Sequence, residues 1–320
     1  MECLKIEDEI KYYKKRYKMK KEIEDMFIRE GYTHIELAGF ENLDNIISLY
    51  NNIKKESMVK VLDGKSDVLI LRTDNTASII KKLIPRWEYG IKLKLFYNST
   101  VFRNSPNSGI KEIKQLGIEY LGEAALKADK EVIKLALNIL NRFNNGFILE
   151  ISNSKYICGL FKDMNITKAK KQQLKEFIYR KNRSDLTDFI KDLNLPRDIY
   201  NCLLNLLDFQ GDIIQIVDSA KSYYMNEIME EALDELLEIK DFIDRIGYSK
   251  NVYFDLSMMM ELDYYDGTIF KGYYHNSVKD IIYGGRYDSF TEEFGKRVPV
   301  IGFSLDPDGL IDKYLEKEGE

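Results

Sequence analysis

Residues 263–270 read Asp-Tyr-Tyr-Asp-Gly-Thr-Ile-Phe, residues 284–288 read Gly-Gly-Arg-Tyr-Asp, and residues 299–306 read Pro-Val-Ile-Gly-Phe-Ser-Leu-Asp. Within and around these phrases, residue patterns typical of strands lie at 268–274, 280–283 and 298–305. Strands joined by short turns usually pair antiparallel. The last quarter of the chain therefore predicts antiparallel strands whose ends carry tyrosines, an arginine and carboxylates.

The rest of the chain extends this sheet and interrupts it once. Strand patterns lie at 32–37, 68–71, 93–103, 113–121, 147–151 and 252–256, and helical periodicity lies at 6–30, 128–142 and 308–317. From about 159 to 245 the strand pattern is absent, which predicts an all-helical insertion of three to five helices. We predict an α+β fold with a mostly antiparallel sheet flanked by helices. Its parts are a core (1–155), the helical insertion (156–248) and the rest of the core (249–320).

Composition excludes several classes of protein. The 320 residues are 44% hydrophobic, which is too apolar for a disordered chain. The net charge of −5 disfavours nucleic acid as a partner, because nucleic-acid-binding proteins usually present a basic surface. The basic stretch 11–21 is interpreted as the exposed face of an amphipathic helix. No apolar run approaches the length of about 18 residues that a membrane span needs, so we expect no membrane partner.

Cysteine and histidine usage disfavours disulfides and metal sites. Cys3, Cys158 and Cys202 are far apart and odd in number, which indicates buried thiols in a reducing compartment. His34 and His275 are the only histidines, so a histidine-based metal site or catalytic triad is not expected. The sequence predicts a cytoplasmic protein without a metal ion or other cofactor.

Polar residues at the predicted strand ends form a candidate cleft. They are Asp74, Thr76, Arg103, Gln115, Glu119, Tyr264, Tyr265, Arg286 and Tyr287. Gln115 and Glu119 share one face of their strand, because side-chain direction repeats every two residues. Each residue also has an ordinary structural interpretation. Arg103 and Glu119 suit a cross-strand ion pair, the tyrosines suit half-buried sheet positions, and 266–267 and 284–285 suit tight turns.

Four phrases in one order resemble the histidyl-tRNA synthetase family. Residues 71–76 (Leu-Arg-Thr-Asp-Asn-Thr) are similar to its Leu-Arg-Pro-Glu/Asp-x-Thr turn, and 101–103 with 115–119 (Val-Phe-Arg … Gln-Leu-Gly-Ile-Glu) to class II motif 2. Residues 263–270 are similar to its histidine-recognition phrase, and 284–288 to the phrase that leads into motif 3. The resemblance implies a class II aminoacyl-tRNA synthetase-like core. It also implies that the candidate cleft binds L-histidine.

The same resemblance suggests a role for each residue. Asp74, Thr76 and Gln115 would face the amino group of histidine, and Arg103 its carboxylate. Glu119, Tyr265 and Tyr287 would face the imidazole, with Tyr264 and Arg286 beside them. This set satisfies the ligand, because an ammonium needs a carboxylate and a carboxylate needs a cation or an amide.

Three departures from the synthetase pattern concern its phosphate-binding cations. The synthetase has an arginine where this chain has Met260, and a second where it has Gly309. Its motif 2 loop carries Glu-Arg after Phe-Arg, where this chain reads Asn-Ser-Pro at 104–106. Losing one comparable electrostatic contact costs about 10²–10³ in rate. We therefore predict no catalytic residues and no synthetase activity.

This profile resembles the regulatory subunit of ATP phosphoribosyltransferase, a histidyl-tRNA synthetase paralogue. That resemblance implies a non-catalytic subunit that a short-form catalytic subunit requires in the first step of histidine biosynthesis, and that confers feedback inhibition by histidine. It also implies that the chain forms a homodimer through 31–41 within a hetero-oligomer. It further implies that the chain has no anticodon-binding domain. The alternatives are a synthetase-like enzyme and a stand-alone histidine- or tRNA-binding module.

Overall fold

The computed structural model describes residues 5–43, 57–64, 67–105, 109–275, 277 and 279–319. Within these residues the strands form one sheet of nine strands and one of three. The strands are β1 (Thr33–His34), β2 (Phe40–Asn42), β3 (Lys60–Leu62), β4 (Val68–Leu71), β5 (Leu93–Ser105), β6 (Gly109–Leu121), β7 (Phe147–Asn153), β8 (Gln210–Gly211), β9 (Val252–Asp255), β10 (Thr268–Tyr274), β11 (Ile282–Arg286) and β12 (Val300–Leu305).

The large sheet has the strand order β1-β5-β6-β12-β11-β10-β7-β9-β8, and the small sheet has the order β2-β4-β3. In the large sheet only the pairs β1–β5 and β7–β9 are parallel among the described strands. The other neighbours pair antiparallel, and the longest pairing joins all thirteen residues of β5 to β6. The predicted α+β class with a mostly antiparallel sheet is confirmed.

Helices flank the sheet and form most of the segment that interrupts it. In the described residues they are α1 (Ile6–Arg29), α2 (Asn75–Leu83), α3 (Lys127–Phe143), α4 (Ser154–Lys162), α5 (Lys168–Tyr179), α6 (Arg183–Lys191), α7 (Arg197–Asn205), α8 (Ile213–Ala220), α9 (Glu227–Arg245) and α10 (Pro307–Gly319). No helix in the described part of the chain is long and apolar enough to cross a membrane.

The interrupting segment is helical, but its prediction needs two corrections. It contains six described helices, α4 to α9, where three to five were predicted, because single turns such as Arg180–Asn182 separate helices that one continuous pattern suggested. It also contains β8, which pairs with β9 at the edge of the sheet. Its buried residues Leu174 and Ile178 belong to the same apolar cluster as Ile151 and Phe254 of the sheet. The domain boundaries stay a prediction.

Local sequence signals explain where several elements begin and end. Gly31, with φ of +84°, follows α1 in the left-handed region that favours glycine, as the predicted C-cap requires. The predicted strand 32–37 shortens to β1, which has only two residues paired to β5. Residues 284–285 lie inside β11, so their prediction as a tight bend is wrong. The predicted turn at 104–109 lies partly outside the described residues.

Candidate functional site

A cavity of about 400 Å³ lies where the central strands of the large sheet meet α2 and the segment after β9. Eight of the nine predicted site residues line it. They are Asp74, Thr76, Arg103, Gln115, Glu119, Tyr264, Tyr265 and Tyr287. A volume of this size lies in the range of small-molecule sites.

Glu119 is the buried acid of the cavity. Its side chain projects from β6, and the residue is 1% exposed. The Thr76 hydroxyl donates to Oε1 at 2.6 Å, and the Tyr287 hydroxyl donates to Oε2. Burial raises the pKa of Glu119 to about 8, although both hydrogen bonds act in the opposite direction. This carboxyl is therefore largely protonated at neutral pH.

Asp74 caps the start of α2 and presents a second acid to the cavity. Its Oδ1 accepts a hydrogen bond of 2.7 Å from the Ala77 backbone N–H, which makes it the N-cap of α2. Burial raises the pKa of Asp74, while the Ala77 hydrogen bond and the charge of Arg103 lower it. The capping geometry fixes the carboxylate at the cavity wall, where it can attract a cationic group.

Gln115 is held by hydrogen bonds at both ends of its amide. Its Oε1 accepts from Asn75 Nδ2 at 2.9 Å, and its Nε2 donates to the Tyr283 hydroxyl at 2.8 Å. The predicted common face of Gln115 and Glu119 is confirmed, since both line the cavity. The strand register places Arg103 opposite Lys111, and not opposite Glu119. The proposed cross-strand ion pair between Arg103 and Glu119 is therefore wrong.

The tyrosines form one wall of the cavity. Tyr264 stacks on Phe290 with ring centroids 4.7 Å apart, and Tyr265 meets Tyr287 edge to face at 6.0 Å. These contacts fix the rings, and burial raises the pKa of the Tyr265 hydroxyl. The wall presents neutral hydroxyl groups and apolar ring faces to a ligand.

Arg286 does not line the cavity, so the structure does not bring it together with the other predicted site residues. Its Nε donates to Asp129 Oδ1 at 3.2 Å, and a second guanidinium nitrogen donates to Asp129 Oδ2. The guanidinium also donates to the Glu123 carbonyl and to Asp288 Oδ1, both at 3.3 Å. Asp129 is fully buried in α3, so Arg286 neutralises a structural charge.

Gly302 makes room for the buried acid. A Cβ at this position would overlap Glu119 Oε2 and the carbonyl of Ile118. Gly302 lies opposite Glu119 in the pairing of β12 with β6. Any larger residue would push the carboxylate out of its place, so this glycine is required by close approach rather than by its backbone angles.

Met260 and Gly309, where the synthetase has arginines, lie in different parts of the structure. Met260 lines the cavity, with Glu261 beside it. Gly309 lies in α10 outside the lining, where a Cβ would lie 2.8 Å from Ile281. The cavity wall at 260–261 thus offers an apolar group and an anion.

Other lining residues were not among the predicted site residues. They are Asn75, Tyr97, Tyr179, Met260, Glu261, Leu262, Lys271, Lys279, Asp280, Tyr283, Gly302, Phe303 and Ser304. Strand register brings several together, because Tyr97, Gly117, Ser304, Tyr283 and Lys271 follow one another across five neighbouring strands. Asn75, Met260 and residues 302–304 lie in or beside the quoted motifs, which is the local signal that could have found them.

The fold and the cavity define a histidyl-tRNA synthetase-like protein with a class II synthetase core. The family model described as histidyl-tRNA synthetase matches residues 10–310. An ATP phosphoribosyltransferase regulatory subunit from Clostridium novyi is 33% identical over 300 residues, which cover 92% of this chain and 71% of the relative. The chain belongs to the family of ATP phosphoribosyltransferase regulatory subunits.

Solved structures show the same fold. The crystal structure of an ATP phosphoribosyltransferase regulatory subunit/histidyl-tRNA synthetase from Bacillus halodurans C matches with a TM-score of 0.85 and 28% identity, over 94% of this chain and 79% of that chain. A chain of the ATP phosphoribosyl transferase (HisG:HisZ) complex from Thermotoga maritima matches with a TM-score of 0.70 and 18% identity, over 92% of this chain and 98% of that chain.

Proposed function

We propose that this protein is a non-catalytic regulatory subunit of ATP phosphoribosyltransferase. It binds a short-form catalytic subunit, which requires it to join ATP and phosphoribosyl pyrophosphate in the first step of histidine biosynthesis. It also binds L-histidine and so confers feedback inhibition on the complex. The names of its relatives support the regulatory role, and the chemistry of the cavity supports the choice of ligand.

One observation carries this proposal: the cavity combines groups for an amino acid with an apolar residue and an anion at 260–261. Buried Glu119 and half-buried Asp74 suit the cationic nitrogens of histidine, and Arg103 suits its carboxylate. Neither Met260 nor Glu261 offers a cation to a nucleoside triphosphate. A site of this kind supports recognition of histidine better than activation of histidine by ATP.

Histidine would bind with its imidazole near Glu119 and its ammonium near Asp74 and Thr76. In this pose the tyrosine wall packs against the imidazole ring, and Tyr287 keeps its hydrogen bond to Glu119. The ammonium attracts the two acids and favours their ionised forms. Feedback inhibition requires that histidine bind more tightly to a less active arrangement of the complex than to the active one.

The loss of synthetase activity is part of the proposal. Adenylate formation needs cations that stabilise phosphate charge, and each lost contact costs about 10²–10³ in rate. Met260 and Gly309 occupy two positions where the synthetase has arginines.

We also propose that the chain forms homodimers through 31–41 within the hetero-oligomer. The cytoplasmic location stays a prediction.

The test is to mix the purified protein with a short-form catalytic subunit and to measure formation of phosphoribosyl-ATP, with and without histidine. We expect stimulation by the protein, inhibition by histidine and co-elution of the two chains. Tyr265→Phe, which removes one hydroxyl from the cavity wall, should weaken inhibition and leave stimulation unchanged. Absence of both stimulation and co-elution would refute the proposal.

A second assay separates this function from its alternatives. Exchange of pyrophosphate into ATP that depends on histidine would show adenylate formation, and would support a synthetase-like enzyme instead. Binding of tRNA that persists at physiological salt would support a tRNA-binding module. We expect neither.

A further inference from the structure

An apolar stripe lies exposed along the first half of α1. It consists of Ile6 (78% exposed), Ile10 (47%), Tyr13 (52%) and Tyr17 (71%). These positions follow one another at intervals of three or four residues, so their side chains share one face of the helix. None of the residues 6–18 is buried, although they carry these four large apolar groups. A contiguous exposed apolar surface of this kind indicates an interface with another molecule.

The middle of the stripe is held in place by its own helix. The Tyr13 hydroxyl donates to Glu9 Oε1 at 3.1 Å, and the Tyr13 ring meets the Tyr12 ring edge to face at 5.9 Å. A side chain that is fixed before binding loses less conformational entropy on association. The stripe therefore has its shape before a partner arrives.

Charged residues follow a fixed order along the same half of α1. The first turn is acidic, and the stretch 11–21 that follows it is basic. Glu7 and Lys14 are exposed and seven residues apart, which is nearly two full turns, so they flank the stripe on the same side. Glu9 and Arg16 have the same spacing on the other side. An acid therefore precedes a base along each side of the stripe.

We propose that the stripe joins two copies of this chain, whose α1 helices pack antiparallel around a two-fold axis. The axis passes between Ile10 and Tyr13. Ile10 then packs on the partner's Tyr13, and Ile6 packs on the partner's Tyr17. In such a pair each side of one helix faces the same side of the other.

Charge complementarity selects this arrangement. Glu7 lies beside the partner's Lys14, displaced by about 3 Å along the helix axis, and the two-fold axis repeats this pair. A parallel pair would instead bring opposite sides together. It would place Glu7 beside the partner's Glu9, and Lys14 beside the partner's Arg16, so that like charges meet. The order of charges thus favours a second copy, because α1 supplies the base that matches its own acid.

The contact is short and is separate from the dimer proposed at 31–41. From Ile6 to Tyr17 the stripe spans about 16 Å, and its centre lies about 26 Å from the end of α1. Two helices in contact over this length bury less than about 1,000 Å², so we expect reversible association. A chain with both two-fold contacts assembles as pairs of dimers. The inference goes beyond the proposed function and does not rest on it.

The test is sedimentation velocity of the full chain at about 1–100 µM, which gives the Kd of this association. Ile10→Glu places a charge at the centre of the contact and should raise the Kd at least about a hundredfold. Glu7→Lys and Lys14→Glu should each raise it about tenfold, because each turns two attractions into repulsions. The double variant Glu7→Lys/Lys14→Glu exchanges the charges and should restore it. Ile214→Glu, a similarly exposed position on α8, is the control and should leave the Kd unchanged.

Each outcome decides for or against the inference. A dimer formed through 31–41 persists in these variants, so the largest species of the unchanged protein should have twice the mass found for Ile10→Glu. Equal masses would overturn the inference, and so would a double variant as weak as the single ones. Restoration by the double variant also excludes misfolding as the cause of the single losses. If Ile10→Glu self-associates normally but no longer co-elutes with a short-form catalytic subunit, the stripe binds that subunit and the inference is wrong.

Discussion

Replacing the buried acid of the cavity tests the electrostatics of the site directly. Glu119→Gln keeps the shape of the side chain and removes its ionisable group. The pKa of Glu119 is raised from 4.5 to about 8, because burial disfavours the charged form. The native state thus holds a proton in a pH range where the unfolded chain has lost it. Stability must therefore fall as pH rises through this range.

The size of the effect follows from the same pKa. A rise from 4.5 to about 8 corresponds to about 5 kcal/mol of native-state stability lost at high pH. Between pH 5.5 and 8.5 the loss is about 3 kcal/mol. Glu119→Gln lacks this loss. From pH 5.5 to pH 8.5 the free energy of unfolding of the variant should therefore rise by about 3 kcal/mol relative to that of the unchanged protein. This change does not depend on how far the two proteins differ in stability at pH 5.5.

The assay is urea unfolding at pH 5.5, 7.0 and 8.5, followed by fluorescence of Trp87. This is the only tryptophan of the chain, and it packs against the apolar cluster that contains Tyr287. Glu112→Gln, an exposed position on the same strand, serves as the control. Parallel pH profiles for Glu119→Gln and the unchanged protein would refute the reasoning, because they would mean that Glu119 is ionised in the native state.

Three further predictions follow from the site. Histidine binding should release protons at pH 7, because the ligand's ammonium favours ionised Glu119; titration in buffers of different ionisation enthalpy measures this, and proton uptake would contradict it. Gly302→Ala should raise the Kd for histidine at least tenfold, because its Cβ displaces Glu119; unchanged affinity in calorimetry would contradict it. Arg286→Met should cost about 3–5 kcal/mol in urea unfolding, because it leaves Asp129 buried and unpaired, whereas a cost below 1 kcal/mol would argue against the structural role.

Local patterns predicted the strands more reliably than the contacts of side chains. The prediction of β4 and β10 was right to the residue, since turn-forming or polar residues flank both strands. β1 was overpredicted, because alternation cannot show that the strand ends at His34. Six helices replaced the predicted three to five, since a continuous helical pattern conceals single-turn breaks.

The site residues show the same limit. The phrase at 284–288 predicted Arg286 in the cleft, yet Asp129, far away in the sequence, holds its guanidinium in the scaffold. Tyr97 was missed, because its place in the cavity depends on the register of β5 with β6. Asn75 was quoted within a motif but given no role, since a motif does not show that its side chain contacts Gln115.

Two ion pairs connect the cavity to the helical segment, and they give the proposed feedback inhibition a physical route. Lys175 of α5 forms an ion pair of 3.0 Å with Asp263, immediately before the tyrosine wall. Lys181, just after α5, bonds the buried carboxylate of Asp255 at 2.5 Å at the end of β9. The chain between these two anchors, 256–262, carries Met260 and Glu261 into the cavity lining. A ligand that shifts this stretch therefore acts on both attachments of α5. The helical segment shares one apolar cluster with the sheet. We therefore expect such a shift to repack side chains in this shared core.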